Sequence, residues 1–494
     1  MRLFIKTVLA ALLAAVLLCG CEGGILPKET TQPPVLQIAQ VVTEQSLLEL
    51  EQLYPQLQEA DFTGSECYDA IERYISRNPQ VKVRYAVRLG NTAAAPDAEA
   101  LTLNPADFDF GILQENLQYF HRLKTVFFQD TTLTMESIQA LRSQYPDLGI
   151  GYSVNFQGKT YDATTKELDL SELDPETVLN QGAALSMLPE LTDIQLMKAD
   201  GTTAYGLSQA AALQAQVPKV LLHYTFDLFD KTVSTTDEEI IYANKKIGNK
   251  EGALDELRTA LSIMRGCKRF VLDNCRFSNE DLAAVRDEFR DTTKVVWRIW
   301  FGKGGCLTDR KVIRHVYNLY DSTSANLVYC EDAEYLDFGH NETLKNCDFI
   351  AGMPHLKAVI LSGSMISDLT PFAACQELEF LEIAYCGYIS DISPLSGCSN
   401  LKRLNIAYTK VEDLSALDGL DMEVLVDARS KTDADDWTQF AQLHPDCVTQ
   451  HTGDVKDDQP YGCPWRYDEN GDPNEYYALL KEEFNYPKPT DTLY

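Results

Sequence analysis

The chain is poor in positive charge and lacks the short motifs that mark catalysis. Lys and Arg number 43 against 74 Asp and Glu, a formal charge of -31. A surface of that sign gains nothing from counterion release at phosphates, so nucleic acid and anionic bilayers are poor partners and a cation or a basic protein patch fits better. There is no glycine-rich phosphate loop, no Gly-x-Ser-x-Gly elbow and no His-Glu-x-x-His pair. None of the 7 His stands beside a nucleophile at a catalytic spacing. Gly302-Lys303-Gly304-Gly305 lacks the Lys-Ser/Thr that a phosphate loop needs, and reads as a turn. The 13 Cys form no Cys-x-x-Cys pair and no cluster with zinc spacing, so most read as small buried residues of a large core. Beyond the first twenty residues no apolar run reaches the roughly 20 residues of a membrane span. A non-enzymatic binding protein fits these absences best, with a hydrolase the least favoured alternative.

What is present begins at the N-terminus. Arg2 and Lys6 precede the apolar run Thr7 to Leu18, a charged and then greasy arrangement that makes residues 1–20 an export signal. Leu18-Cys19-Gly20-Cys21 resembles the bacterial lipobox, with Cys19 where Ala, Ser or Thr is usual. The resemblance implies that Cys21 carries a fatty acyl group such as palmitate and anchors the mature chain to the cell envelope, facing outside the cytoplasm. Residues 21–45, with Gly23, Gly24, Pro27, Pro33 and Pro34, read as a tether.

Residues 46–332 repeat one irregular α/β pattern. Pro79 to Tyr85, Pro146 to Tyr152 and Pro218 to Tyr224 share Pro, apolar residues two and four positions on, and Tyr six positions on. A fourth copy, Asp291 to Trp297, lacks the proline. The alternation is strand chemistry, and the proline stops the helix before it. Those helices are expected at Ser65 to Arg77, Thr134 to Gln144, Gly206 to Gln216 and Asn279 to Phe289. The copies begin at 79, 146, 218 and 291, too far apart for a single solenoid turn, so each unit holds two or three. Separate small α/β sandwiches are the alternative; the lack of linkers favours a stacked array.

Residues 333–428 carry the clearest motif. Leu356 to Phe372, Leu378 to Cys386 and Leu401 to Thr409 repeat strand and turn in phase, with further turns at Ala333 and Met422. Ile366-Ser-Asp-Leu-Thr-Pro-Phe372 and Ile389-Ser-Asp-Ile-Ser-Pro-Leu395 resemble the tail of internalin-like leucine-rich repeats, whereas Val411 to Leu417 lacks the proline. The family's Asn is present as Asn341 and replaced by Ser364, Cys386 and Thr409 elsewhere. The fold expected is therefore α/β: a curved leucine-rich-repeat solenoid with an irregular N-terminal α/β array and a C-terminal cap over 429–494.

Alternation turns Leu336, Phe338, Val359, Leu361, Leu381, Ile383, Leu404 and Ile406 inward. It leaves Tyr335, Asp337, Ile360, Phe380, Glu382, Arg403 and Asn405 on the concave face, where apolar anchors amid charges suit recognition of a protein or glycan. The column Gly339, Ser362, Ala384, Ala407 and Ala428 is nearly flat. Asp427 stands at an inward position, which predicts that the array ends there. Asn474 to Phe484 reads as a final helix. No cofactor is called for; Asp468, Asn470, Asp472 and Glu475 are candidate Ca2+ ligands lacking complete EF-hand spacing. Two functions follow: an envelope-anchored binding protein, or a structural or assembly lipoprotein of the envelope.

Overall fold

Short apolar triplets separated by polar turns cannot bury themselves singly, so each adds to a growing parallel sheet. The computed structural model describes residues 37–451, 464–468 and 470–486; Cys21, the export signal and the first part of the expected tether lie outside them. Order begins before the expected boundary at 46, because Gln37–Ala39 is already a strand, parallel to Glu59–Asp61. Thr43 then caps the helix Glu44–Leu53.

The described residues divide into two compact units, one reaching to Thr164 and including Met187–Pro189, the other made of Thr165–Ser186 and everything from Glu190 onward. Within the first, Gln37–Ala39, Glu59–Asp61 and Lys82–Arg84 form one parallel sheet, and the hairpin Val87–Arg88/Ala93–Ala94 follows. The cycle then repeats. Ala100–Leu103, Thr125–Phe128 and Gly149–Phe156 run parallel, and Lys159–Asp162 folds back antiparallel on the last.

In the second unit the same cycle gives Glu167–Asp169, Asp193–Gln195 and Leu221–His223, followed by the hairpin Thr225–Leu228/Lys231–Ser234. The next gives Glu239–Ala243, Arg269–Asp273 and Lys294–Phe301, with Gly304–Leu307 antiparallel to the last. The long sequence period is therefore three parallel strands plus a returning arm. Gly302, at φ +52, opens the last arm's turn, so the glycine run is a hairpin as expected. The anticipated helices are seen as Tyr68–Arg77, Met135–Gln144, Leu207–Gln216 and Asn279–Phe289. Thr134 and Ser278 cap two of them by accepting from Ser137 N and Asp281 N.

From residue 312 the arms cease and seven strands run parallel without interruption: Val312–Arg314, Tyr335–Asp337, Ala358–Ile360, Phe380–Glu382, Arg403–Asn405, Val424–Val426 and Val448–Gln450. The row is longer at both ends than the 333–428 read from the motif. One strand, Val448–Gln450, still follows Asp427 and pairs with Val424–Val426, but it is exposed to half-buried rather than a buried strand of the same kind. Asp427 is fully buried, its carboxylate pairs with His451 at 2.8 Å, and its N–H donates to Gln450 O. A buried carboxylate is tolerated here because the added turn supplies its partner.

Every residue assigned inward, from Leu336 and Phe338 to Leu404 and Ile406, is fully buried. Behind the strands the chain returns through 3-10 turns such as Thr370–Ala374 and Ser393–Gly397, each with a proline at its start. Asn341 spans neighbouring turns, donating to His315 O and Phe338 O and accepting from Leu319 N. Cys386 donates to the backbone carbonyl of Leu361 and meets Ser364 Oγ, while Thr409 donates to the carbonyl of Ile406. Of the described cysteines, Cys267, Cys275, Cys330, Cys347, Cys375, Cys386 and Cys398 are buried, as a core-filling role requires.

Candidate functional site

The sheet face carrying the seven predicted contact residues is not open to solvent. The final helix, Glu475–Glu483, and the residues flanking it lie on that face. Phe380 is 2 % exposed, stacked against Trp465 at 4.4 Å between ring centroids and against Tyr476 at 5.2 Å. Ile360 is buried in the same apolar cluster, and Tyr335 meets Phe484 edge to face. The expectation that Phe380 and Ile360 face water is thereby corrected. An apolar patch this large costs free energy when wet, and the chain's own aromatics remove it from water.

The polar members are equally engaged. Glu382 accepts from Arg466 through both carboxylate oxygens, at 2.7 and 2.8 Å, and also from Trp465 Nε1 and Ser362 Oγ. Burial opposes the charge on Arg466, but the Glu382 carboxylate outweighs it and holds the guanidinium above its ordinary pKa. Asp337 accepts from Tyr486 Oη at 2.6 Å and from Arg314 Nε at 3.2 Å. Burial, reinforced by the Asp337 carboxylate, pushes the Tyr486 phenol up, so it stays a donor. Arg403 pairs with Glu423 at 2.7 Å and lies over the Tyr476 ring, while Asn405 is buried and accepts from Ala407 N. The expected cap thus shares the face with the predicted contact residues, a juxtaposition separated by 83 positions between Trp465 and Glu382.

The candidate calcium ligands serve a turn. Asp468 Oδ1 accepts from the backbone N–H groups of Asn470 and Asp472, and Glu475 opens the final helix. Among the described residues no group of three or more His, Cys, Asp or Glu is placed to hold a metal ion.

A different set of side chains is presented outward, and the sequence reading missed it. The residue three positions past each of the first six strands adopts a left-handed backbone: Tyr317, His340, Gly363, Tyr385, Tyr408 and Arg429, with φ between 57° and 75°. Such φ values cost a side-chain-bearing residue about 1–2 kcal/mol. Four of them are held because their N–H reaches one turn further along the sheet: His340 to Ser362 O, Gly363 to Ala384 O, Tyr385 to Ala407 O and Tyr408 to Ala428 O. The side chains then form a row. Tyr317 stacks on His340 at 5.5 Å, Tyr385 on Tyr408 at 4.3 Å, and Arg429 lies over Tyr408. Beside them Lys410 covers Tyr388.

Tyr317, Tyr385 and Tyr388 are each more than half exposed. Gly363 leaves one rung of the row empty. A Cβ there would meet only His340 atoms at 3.7–3.9 Å, so the space is real. At a strand spacing of about 4.8 Å, the rungs of His340 and Tyr385 stand about 9.6 Å apart, enough for one planar group between them. The signal in the sequence was the aromatic residue recurring after Phe338, Ile383 and Ile406, as His340, Tyr385 and Tyr408.

Register, buried Asn and returning 3-10 turns together define a repeat α/β array. Among solved structures the chain is similar to an internalin from Listeria monocytogenes, at 15 % identity over 73 % of this chain and 84 % of that one, TM-score 0.28. It is also similar to a leucine-rich-repeat protein of Leptospira interrogans, at 13 % identity over 80 % and 90 %, TM-score 0.25. A scan against protein-family models and a search of curated proteins return no match. Among the described residues no helix is long and apolar enough to cross a membrane.

Proposed function

We propose that the chain is an envelope-anchored, extracytoplasmic binding protein, held by lipid on Cys21, that recognises a protein or glycan through its repeat surface rather than acting as an enzyme. The observation that carries this reading is the exposed aromatic row Tyr317, His340, Tyr385 and Tyr408 with its empty rung at Gly363. Large aromatics on costly backbone, stacked but wet, are surface that a partner's flat face would cover, and Tyr combines contact area with a polar tip. The sheet face of Phe380 and Glu382 serves in this reading as the seat of the C-terminal segment. The structural or assembly lipoprotein is the second reading; it calls for a large apolar patch on the convex or terminal surface.

The test compares retention of envelope polysaccharide fractions and of envelope proteins on the immobilised mature chain with retention on two variants. Tyr385→Gly combined with Tyr408→Gly removes the stacked pair, and Gly363→Tyr fills the empty rung. At least one species held by the parent should bind about tenfold more weakly to both variants, a loss of about 1.4 kcal/mol. Identical retention by all three chains overturns the assignment of the row.

A further inference from the structure

Ten cysteines are free among the described residues, and one pair stands apart: Cys306 Sγ lies 3.8 Å from Cys330 Sγ, the one contact between cysteine sulfurs among those residues. Cys330 is fully buried at the end of the 3-10 turn Ala325–Tyr329. Its counterparts at the ends of the next three turns are Met353, Cys375 and Cys398, all fully buried, so a sulfur at this position is ordinary core filling. Cys306 is not explained in that way. It is the third residue of the returning arm Gly304–Leu307, facing Ile299 across the antiparallel pair. The matching residues of two earlier arms are the bulkier Tyr161, facing Val154, and Val233, facing Phe226. Only the arm that meets the first 3-10 turn of the seven-stranded row places a small thiol there, and that thiol points at another.

We infer that Cys306 and Cys330 are an oxidisable dithiol, and that their disulfide fastens the last returning arm to the first turn of the uninterrupted leucine-rich row. A disulfide needs the sulfurs about 2.05 Å apart, within reach of small side-chain rotations from the present contact. The two sulfurs are also unequal. The hydrogen bond with Cys330 lowers the Cys306 thiol pKa against the opposing effect of burial, and Arg298 and Arg310 add a favourable field. The same hydrogen bond and burial raise Cys330. Cys306 is half-buried where Cys330 is sealed, so Cys306 is the sulfur that meets an oxidant first.

With a small-molecule disulfide as oxidant the chemistry balances. The Cys306 thiolate attacks one sulfur of the reagent, forming a mixed disulfide and expelling one thiolate. Cys330 then gives up its proton and attacks Cys306 Sγ, forming the Cys306–Cys330 bond and expelling the second thiolate. Two protein thiols are oxidised, and one reagent disulfide is reduced to two thiols.

The experiment treats the reduced mature chain with oxidised glutathione, quenches with an alkylating reagent under denaturing conditions, and maps peptides by mass spectrometry. The expected product is a cross-linked peptide joining Cys306 to Cys330, two hydrogens lighter than the separate thiols, while Cys375 and Cys398 are recovered alkylated. In Cys330→Ser the reaction should stop at glutathione on Cys306. Oxidation of the parent should raise the denaturant midpoint, reduction should restore it, and neither treatment should move the midpoint of Cys306→Ala. Recovery of both Cys306 and Cys330 as alkylated thiols, or a mixed disulfide on Cys306 that persists in the parent, overturns the inference. The parent's peptide map decides the matter even if a variant does not fold.

Discussion

Phe380 and Leu381 are adjacent in sequence and sit on opposite faces of one strand, which makes them a paired probe of how the C-terminal segment is held. Both are buried, but by different neighbours. Leu381 is fully enclosed within the repeat array, whereas Phe380 is covered by Trp465 and Tyr476. Truncating a buried Phe to Ala costs about 3–5 kcal/mol and a buried Leu about 2–5 kcal/mol. For Phe380→Ala that loss falls on docking of residues 464–486. A loss of about 3 kcal/mol multiplies the open population about a hundredfold or more. Hydrogen exchange of peptides covering Glu475–Glu483 should accelerate by that factor while the strands from Tyr335–Asp337 to Val424–Val426 keep their protection. Leu381→Ala should instead lower the denaturant midpoint of sheet and helix together. Unchanged protection of the helix in Phe380→Ala would show that the stacking does not hold the segment. Coincident melting of helix and sheet in both variants would show that the segment does not open separately.

Asp427 gives a pH-dependent prediction. Burial raises its carboxyl above the ordinary 3.8 despite the ion pair with His451. The folded chain therefore holds a proton that the unfolded chain has released, and this residue's contribution to stability falls as pH rises from 3.8 through its folded value. Urea midpoints measured from pH 4 to neutrality should move in favour of Asp427→Asn relative to the parent; a constant difference would refute the coupling. Tyr385→Gly should cost folding stability no more than about 0.5 kcal/mol, because relief of about 1–2 kcal/mol at φ +60 offsets about 0.5–1.5 kcal/mol of lost stacking. A larger loss by denaturant unfolding would mean that the row is structural. Cys21→Ser should abolish incorporation of labelled palmitate and release the chain from the membrane fraction; continued labelling would remove the lipid assignment.

The inward positions were legible because they depend on local alternation. Val359, Leu361, Leu381 and Ile383 are apolar at every second place, and a strand has no other way to bury them. The helix Asn279–Phe289 was legible because its cap and apolar spacing agree. Asp427 marked the end of the buried strands but not of the sheet, because its partner, His451, lies 24 residues on and offsets only part of the cost of burying the charge. The row of Tyr385 and Tyr408 went unread for a different reason. A left-handed residue is ordinarily glycine, and nothing local announces that hydrogen bonds along the stack will hold tyrosine there.

By itself, then, the sequence determined the repeat: its period, its strand faces, its helix caps and a change of rhythm, read from residue 333 although the uninterrupted row already starts at Val312. These features follow from nearest-neighbour sterics and from apolar spacing, interactions that act over a few residues. Only the tertiary structure decided which face is free. Glu382 and Phe380 look outward on any strand, and their burial depends on Trp465, Arg466 and Tyr476 arriving from far along the chain. Docking of that kind is set by the complementarity of two surfaces assembled separately, an apolar patch with a buried carboxylate meeting aromatic rings with a guanidinium. No pattern within either segment encodes it alone.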